Sequence, residues 1–197
     1  MKHSKQNTNI NPKNKILKSF LSLIKKEHLS DEKYSDILII IKGCFNENNT
    51  ALDINLIINI YKIILDKGIE NQKVNNLIFI NFYGFYNFII SNNHDINVIR
   101  QLLLFIETYL MQTSNNILKE QLELILFIIE DLIKRDHYQF YIIYVFLFMK
   151  ILDKIITNKL YANFRVNLIQ LREYIIKSCP HNDEGIKLKE LLINQTI

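Results

Sequence analysis

A chain of 197 residues that is 49% hydrophobic and 22% charged can bury a sizeable core, which excludes global disorder. Two prolines and four glycines are too few for an all-β protein, which needs a turn about every ten residues. The net charge of +4 is modest, and the excess of Ile, Asn and Lys reads as AT-rich coding, so Asn-rich loops and the preference for Lys over Arg carry no weight.

Cys44 and Cys179 are the only cysteines, too few for a disulfide framework, and a reducing, cytoplasmic setting is the simplest expectation. Met1 to Lys15 is polar and basic without an apolar core, so no secretory signal is read and the sequons at Asn48 and Asn194 mean nothing. A mitochondrial transit peptide fits less well, because the acid-free first 26 residues contain no Arg. The most apolar run, Phe140 to Met149, makes a helix of about 15 Å against a hydrocarbon core of about 30 Å, so no transmembrane segment is expected.

In chain order, residues 1–13 read as a disordered basic arm and 14–197 as a single α-helical domain. Helix one is expected over about Asn14 to Glu27, with Ile16, Leu17, Phe20, Leu21, Leu23 and Ile24 on one apolar stripe. Helix two follows a Ser30 cap and ends near Gly43. Ile37 to Ile41 could form a buried strand, but the run shows no alternation. Helix three starts at an Asp53 cap and stops at Gly68; helix four spans about Gln72 to Ile90. Asp95 caps helix five, which runs to about Met111; helix six spans about Ile117 to Arg135 and helix seven about Tyr138 to Thr157. Helix eight runs from about Leu160 to Ser178 before Pro180, and a last helix spans about Asp183 to Ile193.

Connections of a few residues force neighbouring helices into antiparallel hairpins. The hairpins begin near Ile16, Asp53, Asp95 and Tyr138, gaps close to the ~40–47 residues of HEAT or armadillo units. Leu65-Asp66-Lys67 also recurs as Leu152-Asp153-Lys154, about two such lengths later. The expected fold is therefore all-α, with eight or nine helices in a HEAT/armadillo-like right-handed stack. The Pro, Asp and Arg pattern of a HEAT unit is missing, and a compact orthogonal helical bundle is the alternative.

Charge asymmetry is the clearest functional sign. Lys2, Lys5, Lys13, Lys15, Lys18, Lys25 and Lys26 precede the first acid, Glu27, so the chain from there onward is net −3. A basic arm on a mildly acidic body suits a polyanion, because each lysine displaces a counterion from phosphate without reading a base. Helix one is also basic and amphipathic, which fits a membrane-surface helix or, more simply, a terminal cap docked on the next hairpin. Arg165 and Arg172, seven residues apart on helix eight, could share a face as a partner anchor.

Aromatic residues concentrate in helix four (Phe79, Phe82, Tyr83, Phe85, Tyr86, Phe88) and around helix seven (Tyr138, Phe140, Tyr141, Tyr144, Phe146, Phe148). They read first as bulky core and second as a groove for a partner helix or stacked bases. Gly84 suggests a kink or close helix approach. Glu130–Lys134 and Asp131–Arg135 are i,i+4 pairs on a solvated face. Cys179-Pro180-His181 lacks metal-ligand spacing, and no phosphate loop or nucleophile elbow is present, so no catalytic residue, metal or cofactor is expected. The expectation is a monomeric, non-enzymatic adaptor with no small-molecule substrate. It would dock on a protein or RNA of a large assembly, a ribonucleoprotein and most specifically the ribosome, with a peripheral membrane protein or an α-helical enzyme as alternatives.

Overall fold

The computed structural model describes residues 11–45, 52–68, 72–92, 95–112, 117–135 and 138–195. Among them the protein is all-helical: α1 Pro12–Lys26, α2 Asp31–Phe45, α3 Ile54–Gly68, α4 Gln72–Ser91, α5 Ile96–Gln112, α6 Lys119–Lys134, α7 Tyr141–Thr157, α8 Tyr161–Ser178 and α9 Asp183–Ile193. A single 3-10 turn, Tyr138–Phe140, leads into α7. Ile37 to Ile41 lies inside α2, so the strand reading fails there.

Helix starts follow local chemistry. α1 begins at Pro12, two residues earlier than Asn14, because Asn11 Oδ1 accepts from the Lys13 N–H at 2.9 Å and Pro12 fills the first position, where no N–H is needed. Asp53 Oδ1 accepts from the Leu56 N–H at 3.3 Å, and Asp95 Oδ1 from the Asn97 N–H at 3.2 Å. The backbone N–H of Asn97, and after it the Asn97 side-chain amide, hold the Asp95 carboxyl below its ordinary value. Asn182 Oδ1 accepts from Gly185 N–H at 2.8 Å and starts α9 at the expected residue. Ser30 stands before α2, and its carbonyl accepts from the Tyr34 N–H.

The chain divides into two compact units, Met1–His94 and Asp95–Ile197. In the first, α1 packs chiefly on α3 and α2 on α4. Both ends of the α1–α3 pair are pinned. Asn14 Oδ1 accepts from the Asp53 N–H at 2.8 Å at one end, and Lys67 Nζ donates to the Ile24 and Glu27 carbonyls at 2.6 and 3.2 Å at the other. The two helices therefore run parallel. Phe45, closing α2, sits 5.5 Å from Phe85 and 5.8 Å from Phe88 between ring centres, so α2 and α4 also run parallel with their C-terminal ends level. One hairpin is thus stacked on the next, layer on layer. The core between them holds Leu17, Tyr34, Leu38, Ile60, Tyr61, Phe82 and Phe85, with the Tyr61 ring set edge-on against Phe85 at 5.9 Å.

The second unit repeats this scheme: α5 packs on α7 and α6 on α8, while α9 rests on both α7 and α8. Lys134 of α6 lies 5.1 Å over the Tyr174 ring of α8. Tyr141 donates its hydroxyl proton to Glu184 at 2.8 Å, tying α7 to α9.

The aromatic clusters are core. Phe79, Phe82, Phe85, Tyr86 and Phe88 are buried, as are Phe140, Tyr144 and Phe148. Among the described side chains of the set only Tyr83 and Phe146 are clearly exposed, and those do not form an aromatic groove. Gly84 is not a close-approach position: a methyl there would meet Phe45 at 3.7 Å, an ordinary contact.

Candidate functional site

α1 carries the candidate site. Its buried side is narrow, with Leu17 and Ile24 inward and Phe20 and Leu21 half-buried against the hairpin behind. Ile16 and Leu23 depart from the expected stripe: they are 44% and 38% exposed. At 100° per residue they sit about 80–120° from Leu17 and Ile24, to the side of the contact with α3 rather than in it.

The outward face holds Lys15, Lys18, Lys25 and Lys26, all exposed, with Ser19 and Ser22 between them. Lys13 lies within the first turn and is half-buried, while Lys2 and Lys5 lie outside the described residues. No acidic residue occurs anywhere in α1. The helix is about 22 Å long, so four cations share one short ridge. Lys25 and Lys26 also stand in the last turn, where the helix dipole favours positive charge and offsets part of their mutual repulsion.

The other sequence candidates separate. Arg172 donates to the Gln195 carbonyl at 3.2 Å, so its guanidinium is engaged at the end of α9. Arg165 is exposed. The anticipated ion pairs on α6 form, Glu130–Lys134 at 3.6 Å and Asp131–Arg135 at 2.7 Å, joined by Lys119–Glu123 at 3.5 Å. At these exposures they contribute a few tenths of a kcal/mol each.

Cys179 is buried, and burial pushes its thiol up, the direction opposite to that of an activated nucleophile. His181, two residues on, is exposed. Among the described residues no three His, Cys, Asp or Glu side chains are grouped to hold a metal, and no helix is long and apolar enough to cross a membrane.

Sequence reasoning missed the exposed Ile16 and Leu23. The periodicity places them near the apolar stripe, and only the limited width of the α1–α3 contact reveals them as outward. No family model, curated protein or solved structure matches this chain.

Proposed function

We propose that this protein is a non-enzymatic binding protein that docks, through the exposed lysine face of α1, on the phosphate-bearing surface of a larger assembly. The observation that carries this reading is the ridge of Lys15, Lys18, Lys25 and Lys26, exposed together on a helix without an acid. Clustered ammonium groups attract a polyanion by charge alone and gain further from counterion release. The helix holding them is fixed at both ends by Asn14–Asp53 and Lys67–Ile24, so the charges are presented on a rigid support.

A stack of hairpins supplies broad outer surfaces, which suits an adaptor acting by occupancy. A ribonucleoprotein, the ribosome included, offers a phosphate backbone of the required charge; an anionic bilayer offers phosphate headgroups.

Binding of the full chain to heparin, measured across a salt series, tests the reading. Wild type should bind with affinity falling steeply as salt rises. The Lys15→Gln, Lys18→Gln, Lys25→Gln, Lys26→Gln variant should bind at least about tenfold more weakly with a shallower salt slope. Equal affinity and slope for the two proteins would remove α1 from any such role.

A further inference from the structure

Resting on the reading of α1 as a polyanion-docking face, we propose that its target is an anionic lipid bilayer, on which α1 lies along the interface. A phosphate backbone needs only the lysines. It gives no reason for exposed aliphatic side chains among them. Ile16 and Leu23 lie seven residues apart, almost directly in line along the helix, with half-buried Phe20 between them in the same row. The neighbouring row on the outward side is Lys15, Ser19, Ser22 and Lys26. The ridge is therefore two-toned: an apolar edge beside a cationic flank, both facing away from α3.

That arrangement is the working geometry of an interfacial helix. The aliphatic side chains enter the boundary between headgroups and acyl chains, and the ammonium groups stay level with the lipid phosphates. Lysine suits this position because its long apolar stem lies along the membrane edge while the charge stays hydrated. Lys15 and Lys26 beside Ile16 and Leu23 supply two separate contributions, charge and apolar burial, and reversible anchoring needs both. Ile16, Leu23, Lys15 and Lys26 are already exposed, and the buried Leu17 and Ile24 keep their contacts with the protein core, so binding requires no unfolding of α1.

Co-sedimentation of the full chain with vesicles of phosphatidylcholine, with and without phosphatidylserine, tests this beside binding to poly(U) RNA. Three proteins are compared: wild type, Ile16→Ser with Leu23→Ser, and Lys15→Gln with Lys26→Gln. Circular dichroism confirms that each remains helical. Wild type should bind the phosphatidylserine vesicles and not the neutral ones. The serine variant should lose about tenfold in vesicle affinity and nothing toward poly(U). The glutamine variant should lose about fivefold per lysine on vesicles. Equal vesicle binding by wild type and the serine variant would overturn the proposal. So would binding to poly(U) with none to vesicles, an outcome that leaves the polyanion reading standing. Binding to neither probe would remove both.

Discussion

Lys67, in the last turn of α3, donates to the carbonyl of Ile24 at 2.6 Å and to that of Glu27 at 3.2 Å, across 43 and 40 residues of sequence. The last four carbonyls of a helix have no partner within it, so an ammonium group from the neighbouring helix satisfies that of Ile24 and complements the dipole. This cap sets the register of one hairpin on the next and fixes the end of the helix that presents Lys25 and Lys26. Lys67→Met keeps the apolar stem and removes the donor. It should cost about 1–2 kcal/mol in urea unfolding, with Lys67→Arg recovering part of the loss. No change in the unfolding midpoint for the Met variant would show the cap to be energetically idle.

Two glycines should respond to alanine in opposite directions. Gly84 lies within α4, where a methyl finds only an ordinary contact at 3.7 Å, so Gly84→Ala should stabilise by about 0.5–1 kcal/mol through lower chain entropy in the unfolded state. Gly185, in the first turn of α9, lies against Pro180: a methyl there would come within 2.0 Å of the Pro180 carbonyl oxygen. Backbone cannot yield as a flexible side chain does. Gly185→Ala should therefore destabilise by about 2 kcal/mol or more and loosen α9 from α7 and α8. Thermal unfolding of both variants checks the pair of signs.

Much of this architecture is written in local chemistry. Asp53, Asp95 and Asn182 cap the helices they precede by side-chain bonds that their type and position announce. The cross-hairpin pairs Asn14–Asp53 and Ile24–Lys67 join residues 39 and 43 apart in sequence, which no local signal names. What could not be read was the width of each buried stripe. α1 meets essentially one helix, α3, so Ile16 and Leu23 fall outside a contact that periodicity alone would extend to them. The same limit hid the fate of Arg172, which depends on where the chain end after α9 arrives in space. The lysines that form the candidate site were legible as a cluster, and their shared outward face only as a register on a helix.

Lys159 is the single residue other than glycine with positive φ, 56°, among those described. It closes α7 in a Schellman arrangement: the Lys159 N–H bonds to the Ile156 carbonyl at 3.0 Å and the Leu160 N–H to that of Ile155 at 2.9 Å. An L side chain in this left-handed position costs about 1 kcal/mol. Lys159→Gly should recover up to that amount, less the extra freedom glycine has when unfolded. Chemical denaturation with an unchanged slope would attribute the gain to the turn; a loss of stability would mean the lysine side chain contributes something its geometry does not show.

Tyr61, Tyr109 and Tyr144 are all buried, and desolvation pushes each phenol above its ordinary value near 10; for Tyr61 the nearby Cys44 adds to the rise. A raised folded-state value means that the native protein holds the proton more tightly than the unfolded chain. The associated stability is fully present below pH about 10 and is lost as pH rises above it. Each such tyrosine steepens the loss by about 1.4 kcal/mol per pH unit until its folded value is reached. Tyr144→Phe should flatten the alkaline limb of a stability profile by one such contribution. The last part of the tyrosinate absorbance, that of these buried phenols, should appear only together with unfolding, whereas full tyrosinate signal from a still-helical protein would refute the burial argument.

Asn81 lies on the inner side of α4, 1% exposed, and its Oδ1 has no hydrogen-bond partner among the described residues. A buried amide oxygen without a donor loses its hydration and gains nothing in return, a cost of about 1–3 kcal/mol. Its neighbours along the same helix, Phe82, Phe85 and Ile78, are buried and apolar, so an aliphatic side chain of similar size fits the surroundings better. Asn81→Leu should therefore stabilise the protein by about 1–2 kcal/mol, the remainder being absorbed by the slightly different shape. Urea unfolding of Asn81→Leu beside Asn81→Ala separates the two contributions. Leucine should raise the midpoint through relief of the polar penalty and retained packing, while alanine relieves the penalty but leaves a cavity and gains less. A fall in stability for both would show that the amide is satisfied in solution by a group, such as a trapped water, that offsets its burial.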